Sequence, residues 1–256
     1  VSDIDQEIDG AIGRITLNRP DRMNAISVSF ARQLGEAVRA AGNHPDVRVV
    51  VIRGAGGNFC AGGDFDEVQR LKAEGPTALH SLFAAFRCAC QAVENARVPV
   101  VAAVEGVAMA GGFELMQCAD IVLVHDDARI ADNHINFGMI PGGGSSARLP
   151  RIVGRQMAMA MLLSGERLSG KDAVARGLAY RSFPSTSFDD DVEAFLVKLA
   201  ERNSAAVMTI KHLVREGLTY SMSRALTDET NAVVEHICGP VGRDSVAAFK
   251  HREVRA

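Results

Sequence analysis

Two glycine-bearing segments in this chain have the composition of sites that hold negative charge: Phe59-Cys60-Ala61-Gly62-Gly63-Asp64 and Ala108-Met109-Ala110-Gly111-Gly112-Phe113-Glu114. Each reads as a strand-to-helix turn, where the first N–H groups of the helix have no intrahelical partner and glycine lets a ligand reach the main chain. Two such turns facing one point make an oxyanion hole, and a helix starting near Gly112 would add the positive end of its dipole. Glu114 sits in the otherwise apolar run Gly112-Phe113-Glu114-Leu115-Met116. Burial there would raise its pKa toward that of a usable general acid or base. From spacing alone, a first-turn carboxylate on the helix dipole fits equally well.

Other motifs fail a chemical test. Gly54-Ala55-Gly56-Gly57-Asn58-Phe59 lacks the third glycine of a dinucleotide fingerprint, and Gly142-Gly143-Gly144 lacks the Lys-Ser/Thr of a phosphate loop. The seven histidines and five cysteines show no metal-ligand spacing, so no metal is expected. Cys60 has no adjacent base to make it a nucleophile. Met157, Met159 and Met161 read as core or subunit-contact filler.

These residues need elements to position them. Short apolar strands alternate with amphipathic helices: strand Ala11 to Asn18, helix Ser27 to Ala40, strand Val47 to Arg53, helix Pro76 to Ala96, strand Val98 to Val104, a short helix Gly112 to Cys118, and strand Ile121 to Val124. A third cycle starts near Arg129 to Asn136 and leads into a helix from Ser145 to Leu163. The pattern predicts an α/β fold with crossover connections, residues 1–187, followed by a helical region, residues 188–256. The stretch from Asp66 to Pro76 reads as a loop.

With 256 residues, 47% hydrophobic, and 28 Lys+Arg against 31 Asp+Glu, the chain can bury a large core and carries no basic surplus for nucleic acid or an anionic membrane. Residues 1–9 are acidic and unlike a signal peptide, and no apolar run approaches a membrane span, so a soluble, cytoplasmic protein is expected.

Taken together, Phe59 to Asp64, Pro99 to Asp120, Ile140-Pro141-Gly142 and Gly165 to Gly177 resemble the crotonase superfamily of enoyl-CoA hydratases and isomerases. Leu17-Asn18-Arg19-Pro20 and Met23-Asn24-Ala25 are similar to that family's opening, and the resemblance runs from about Ile12 to Phe249. It implies a spiral of β-β-α repeats with a helical C-terminal region, assembled as a homotrimer or hexamer. It further implies an acyl-CoA thioester as substrate, with coenzyme A part of that substrate and no separate cofactor.

Carried over by position, the resemblance gives the backbone N–H groups of Ala61 and Gly111 to the thioester oxygen, and places Ala61, Gly62, Gly63 and Asp64 along the acyl-CoA site. Arg22 would touch CoA phosphates, although a solvated surface arginine reads as well. Phe249 and Arg252 would close over CoA, or simply pack and face solvent. Glu114 occupies the first catalytic glutamate position. The second lies seven residues before the proline of Ile-Pro-Gly, which lands on His134. A neutral imidazole can accept or donate one hydrogen bond at each nitrogen, so His134 would position water or act as the acid partner. Its alternative is a pocket wall with no proton-transfer role. The resemblance thus implies a 2-enoyl-CoA hydratase or related lyase. Isomerisation, decarboxylation or C–C cleavage with Glu114 alone, or a non-catalytic acyl-CoA-binding subunit, are the rival readings.

Overall fold

The computed structural model describes residues 2–239. Its main sheet has six strands: β1 (Ile4–Asp9), β2 (Ile12–Leu17), β3 (Val49–Gly54), β4 (Val100–Val104), β6 (Ile121–His125) and β8 (Arg181–Phe183), in the order β1-β2-β3-β4-β6-β8. The β1–β2 pair is an antiparallel hairpin, and every other pairing is parallel. Helices cover both faces of such a sheet, which is why Val49 to Ile52 is an uninterrupted apolar run, with all four residues buried.

Side-chain alternation assigns the faces. Ile12, Val49, Val51, Val101, Ala103 and Leu123 pack against Phe188, Val192 and Leu196 of α8 (Phe188–Ala200). The opposite face, including Ile15 and Ile52, meets α1 (Val28–Asn43), whose N-cap Ser27 accepts a hydrogen bond from Phe30 N–H. Helix α1 packs in turn on α3 (Pro76–Asn95), where a Cβ built on Gly35 would lie 3.4 Å from Ala89 Cα.

A second, two-stranded parallel sheet joins β5 (Val107–Met109) to β7 (Arg129–Ala131). Isolated bridges extend it to Cys60 on one side and Leu168 on the other. Three successive turns of chain therefore share one plan. Each lays a strand in the main sheet (β3, β4, β6), then a short segment in the small one (Cys60, β5, β7), then enters a helical element. Those elements are α2 (Phe65–Glu74), α4 (Gly111–Met116) and a 3-10 turn at His134–Phe137. This is the expected β-β-α spiral.

The structure differs from the sequence expectation in several places. Residues 66–76 contain α2 rather than a loop, because Asp64 caps it and Gly75, at φ 109, ends it. The helix expected over Ser145 to Leu163 is two, α5 (Ser145–Val153) and α6 (Arg155–Ser164), broken at Gly154 with φ 81. Strands β1 and β8 and the short α7 (Gly170–Ala175) are additional. The chain divides into compact units at Ala200/Glu201, so α8 belongs with the sheet whose face it covers and not with the helices that follow. In the second unit, α9 (Ser204–Gly217) and α10 (Met222–Cys238) pack on each other, capped by Asn203 and Ser221.

Candidate active site

The small sheet sets the geometry of the site. Ala108 bridges Cys60 on one side and pairs with Ile130 on the other, so these three residues lie abreast in a parallel arrangement. Three residues further along each segment come Gly63, Gly111 and Asn133, and one more brings Asp64, Gly112 and His134. Parallel pairing thus delivers both glycine turns and the histidine to the same end of the sheet.

The two glycine turns touch. A Cβ on Gly111 would lie 3.5 Å from Gly62 Cα, and one on Gly112 would fall 2.0 Å from the Cys60 carbonyl oxygen, so side chains are excluded where the loops meet. Ala110, which precedes α4, is held at φ 48 and ψ −116, a conformation costly for a residue with a Cβ. Its N–H donates to the Ala131 carbonyl at 3.0 Å, which ties the strained turn to β7.

Hydrogen-bond accounting changes the assignment of donors. Ala61 N–H, expected to face a substrate oxygen, donates to the Met23 carbonyl at 2.9 Å. Gly62 N–H points to Cys60 Sγ at 3.4 Å. Among the described residues, the N–H groups of Gly63 and Gly111 have no protein acceptor. Gly63 and Gly111, one on each turn, are therefore main-chain donors left for a ligand.

Glu114 is 2% exposed. Its Oε1 accepts from Gly143 N–H at 2.7 Å and from Ser145 N–H at 3.2 Å, both at the start of α5. Burial pushes its pKa above the ordinary carboxylate value; the Ser145 N–H, the His134 charge and the Gly143 N–H oppose that rise without cancelling it. The Gly142-Gly143-Gly144 run, which had no phosphate-loop partner in the sequence, serves here as a carboxylate clamp. Arg148 braces it by donating to the Gly143 carbonyl at 2.6 Å and pairing with Glu94. Gln117 lies alongside, bonded to the Phe113 carbonyl and to Ser145 Oγ.

His134 follows β7 and lies close enough to Glu114 for each charge to act on the other. Its Nδ1 is 2.6 Å from Asp132 Oδ1. Burial alone would lower the histidine pKa, but the Asp132 hydrogen bond and charge, with Glu114 behind them, raise it.

The remaining expectations divide. Asp64 has a structural role: it caps α2 by accepting from Glu67 N–H and pairs with Arg19 at 2.8 Å. Burial works against its charge, but the Arg19 hydrogen bond leads the forces that bring its pKa below the ordinary value. Arg22 is exposed and paired with Asp66 at 2.7 Å. Cys60 is fully buried with its thiol pushed up to about 12, as expected of an inert side chain. Phe249 and Arg252 lie outside the described residues. The described residues contain no metal-type cluster of His, Cys, Asp or Glu, and no helix among them is long and apolar enough to cross a membrane.

Asn24, which the sequence presents only as part of an opening motif, is buried and makes three hydrogen bonds. It accepts from Arg19 N–H and donates to the Ala55 and Asn58 carbonyls. That clamp holds Met23, whose carbonyl engages Ala61.

A mixed α/β spiral that brings two unpaired main-chain donors near a buried, pinned carboxylate defines a class: enzymes that stabilise charge on an oxygen while moving a proton. Comparison with known proteins makes this specific. Residues 7–253 match the model of the enoyl-CoA hydratase/isomerase family, and the chain belongs to that family. It is 31% identical over 243 residues to a probable enoyl-CoA hydratase of Rhizobium meliloti, covering 95% of this chain and 93% of that one. It is 27% identical to a peroxisomal Delta(3,5)-Delta(2,4)-dienoyl-CoA isomerase of Arabidopsis thaliana, covering 90% and 91%. Among solved structures, an enoyl-CoA hydratase from Polaromonas sp. JS666 superposes with a TM-score of 0.93 at 29% identity, over 97% of both chains.

Proposed function

We propose that this protein is a 2-enoyl-CoA hydratase in which Glu114 and His134 share the proton transfers. The observation that carries the reading is the Glu114 carboxylate, buried and pinned through Oε1 by Gly143 and Ser145. Such a clamp fixes the group in position and leaves Oε2 for proton exchange. The thioester oxygen accepts from Gly63 N–H and Gly111 N–H, which lowers the energy of the enolate formed when C3 is attacked. Glu114 takes a proton from water as the hydroxyl adds to C3, and imidazolium His134 gives its proton to C2. Proton exchange with solvent restores both groups.

Coenzyme A enters as part of the substrate, and the reaction as written needs no metal or separate cofactor. A cytoplasmic trimer or hexamer is part of the same proposal. Exposed Phe137, Met139 and Ile140, with Met159 and Leu163 of the adjacent α6, give such an assembly an apolar surface to cover.

The test is incubation with a short 2-enoyl-CoA in heavy water, following the thioester mass, beside Glu114→Gln. Water addition by the wild type that is lost in the variant supports the proposal. Deuterium uptake with no water addition would replace it with isomerase or lyase chemistry. Tight thioester binding with neither would indicate an acyl-CoA-binding subunit.

A further inference from the structure

Asp132 is the least expected group at the site. Its side chain is 1% exposed, immediately after β7. One oxygen meets His134 Nδ1 at 2.6 Å, while Oδ2 is buried with no hydrogen-bond partner among the described residues. The same Oδ1 also accepts from the His134 backbone N–H at 3.5 Å, and a buried carboxylate so sparsely bonded is costly, a cost tolerated where its partner carries the opposite charge. A neutral partner leaves Asp132 as an under-solvated anion, whereas an imidazolium matches it. The backbone also favours this pairing: Met109 stands opposite Ala131, and Ala110 N–H holds the Ala131 carbonyl, so Asp132 is anchored to the turn that begins α4.

We propose that Asp132 is a positioning residue that fixes His134 with its Nδ1 proton directed inward and Nε2 toward substrate, so that His134 works as a proton donor rather than as a second base. This rests on the hydratase reading only for the identity of the reaction; the tautomer and charge of His134 follow from the Asp132 contact itself. It also explains how a histidine can stand where the resemblance expects a glutamate. The site then pairs one carboxylate with one cation instead of two carboxylates. The charged groups that face His134 are Asp132 and Glu114, and the first is bonded to it directly.

Two measurements test the proposal. In the first, 15N-histidine NMR of the wild-type protein follows the imidazole, assigned by its loss in His134→Gln. The expected neutral tautomer carries its proton on Nδ1, and in Asp132→Asn the imidazole titrates lower by about one unit or more. In the second, steady-state kinetics of Asp132→Asn should show kcat reduced roughly 10- to 100-fold, as when a partner that orients a functional histidine is removed. KM should stay within about twofold, and the alkaline limb of the kcat profile should move to lower pH. A structural role alone would lower the melting temperature without moving that limb. Asp132→Glu, which keeps the charge, should recover part of kcat.

An Nε2-protonated neutral tautomer in the wild type would overturn the proposal, and so would a folded Asp132→Asn with unchanged titration and pH limb. The wild-type spectrum needs no variant to fold. If the wild type adds no water but NMR gives the Nδ1 tautomer and the lowered titration in Asp132→Asn, the hydratase reading fails and the Asp132–His134 assignment stands.

Discussion

Gly143 donates its N–H to Glu114 Oε1 at 2.7 Å, and a Cβ added to that glycine would fall 2.8 Å from Glu114 Oε2. One residue thus fixes the carboxylate and sets how closely the backbone can approach it. A Cβ at Gly143 would also come within 2.2 Å of Phe86 Cε1. Gly143→Ala is expected to shift the clamp, destabilise the fold by about 1–3 kcal/mol and lower kcat more than it raises KM. Urea unfolding with steady-state kinetics checks both. Unchanged kcat with a shifted unfolding midpoint would show that the clamp does not set the reactivity of Glu114.

Replacing the carboxylate separates chemistry from support. Glu114→Gln retains an oxygen that can accept from Gly143 and Ser145, so folding should be preserved while hydration falls by roughly 10²- to 10⁴-fold, the range for general acid–base catalysis. Glu114→Ala should lose the activity and also leave two buried N–H groups unpaired, costing about 1–3 kcal/mol for each. Equal turnover of Gln and wild type would remove Glu114 from the reaction.

The legibility of this site in the sequence followed from where its information is stored. Glu114 and the glycine turns could be found because composition exposes them: a carboxylate in an apolar run, and glycines where side chains would collide. Spacing points to Ala61 N–H, whereas the unoccupied N–H of that turn is Gly63, because the Met23 carbonyl, thirty-eight positions before Ala61 in chain order, takes the Ala61 N–H, and spacing carries no trace of it. The ion pair of Asp64 is hidden for the same reason, since its partner Arg19 lies forty-five positions earlier. The buried strands of the sheet were readable as apolar runs. Acidic β1 was not, because an edge strand in a hairpin leaves most of its side chains in solvent.

Stability should respond to pH in one direction through both Glu114 and His134. Glu114 and His134 each have a folded pKa above the ordinary value, 4.5 and 6.5 respectively. For a raised pKa, the stabilising contribution is complete below the ordinary value and is lost as pH climbs through the folded one. The Glu114 contribution therefore fades above 4.5 and that of His134 above 6.5. Comparing wild type with the double variant Glu114→Gln/His134→Gln by urea unfolding between about pH 4 and pH 9, the wild-type advantage should shrink as pH rises. An advantage that grows with pH would mean the carboxylate and imidazole are stabilised in the opposite charge states.

Asn24 gives the last prediction, because it ties the opening motif to the site without approaching the reacting atoms. Its side chain satisfies Arg19 N–H and the carbonyls of Ala55 and Asn58, and its own backbone is held at φ 56, where asparagine is better tolerated than most residues. Asn24→Ala removes three hydrogen bonds and strands their partners, for an expected loss of about 3 kcal/mol. It also loosens Met23, whose carbonyl occupies Ala61 N–H and so keeps Gly63 as the free donor of its turn. Thermal unfolding should show the destabilisation. Below the transition, kcat should fall less than in Glu114→Gln, since the carboxylate clamp is untouched. A variant as stable as wild type would show that the Arg19 and Asn58 loops hold each other without this side chain.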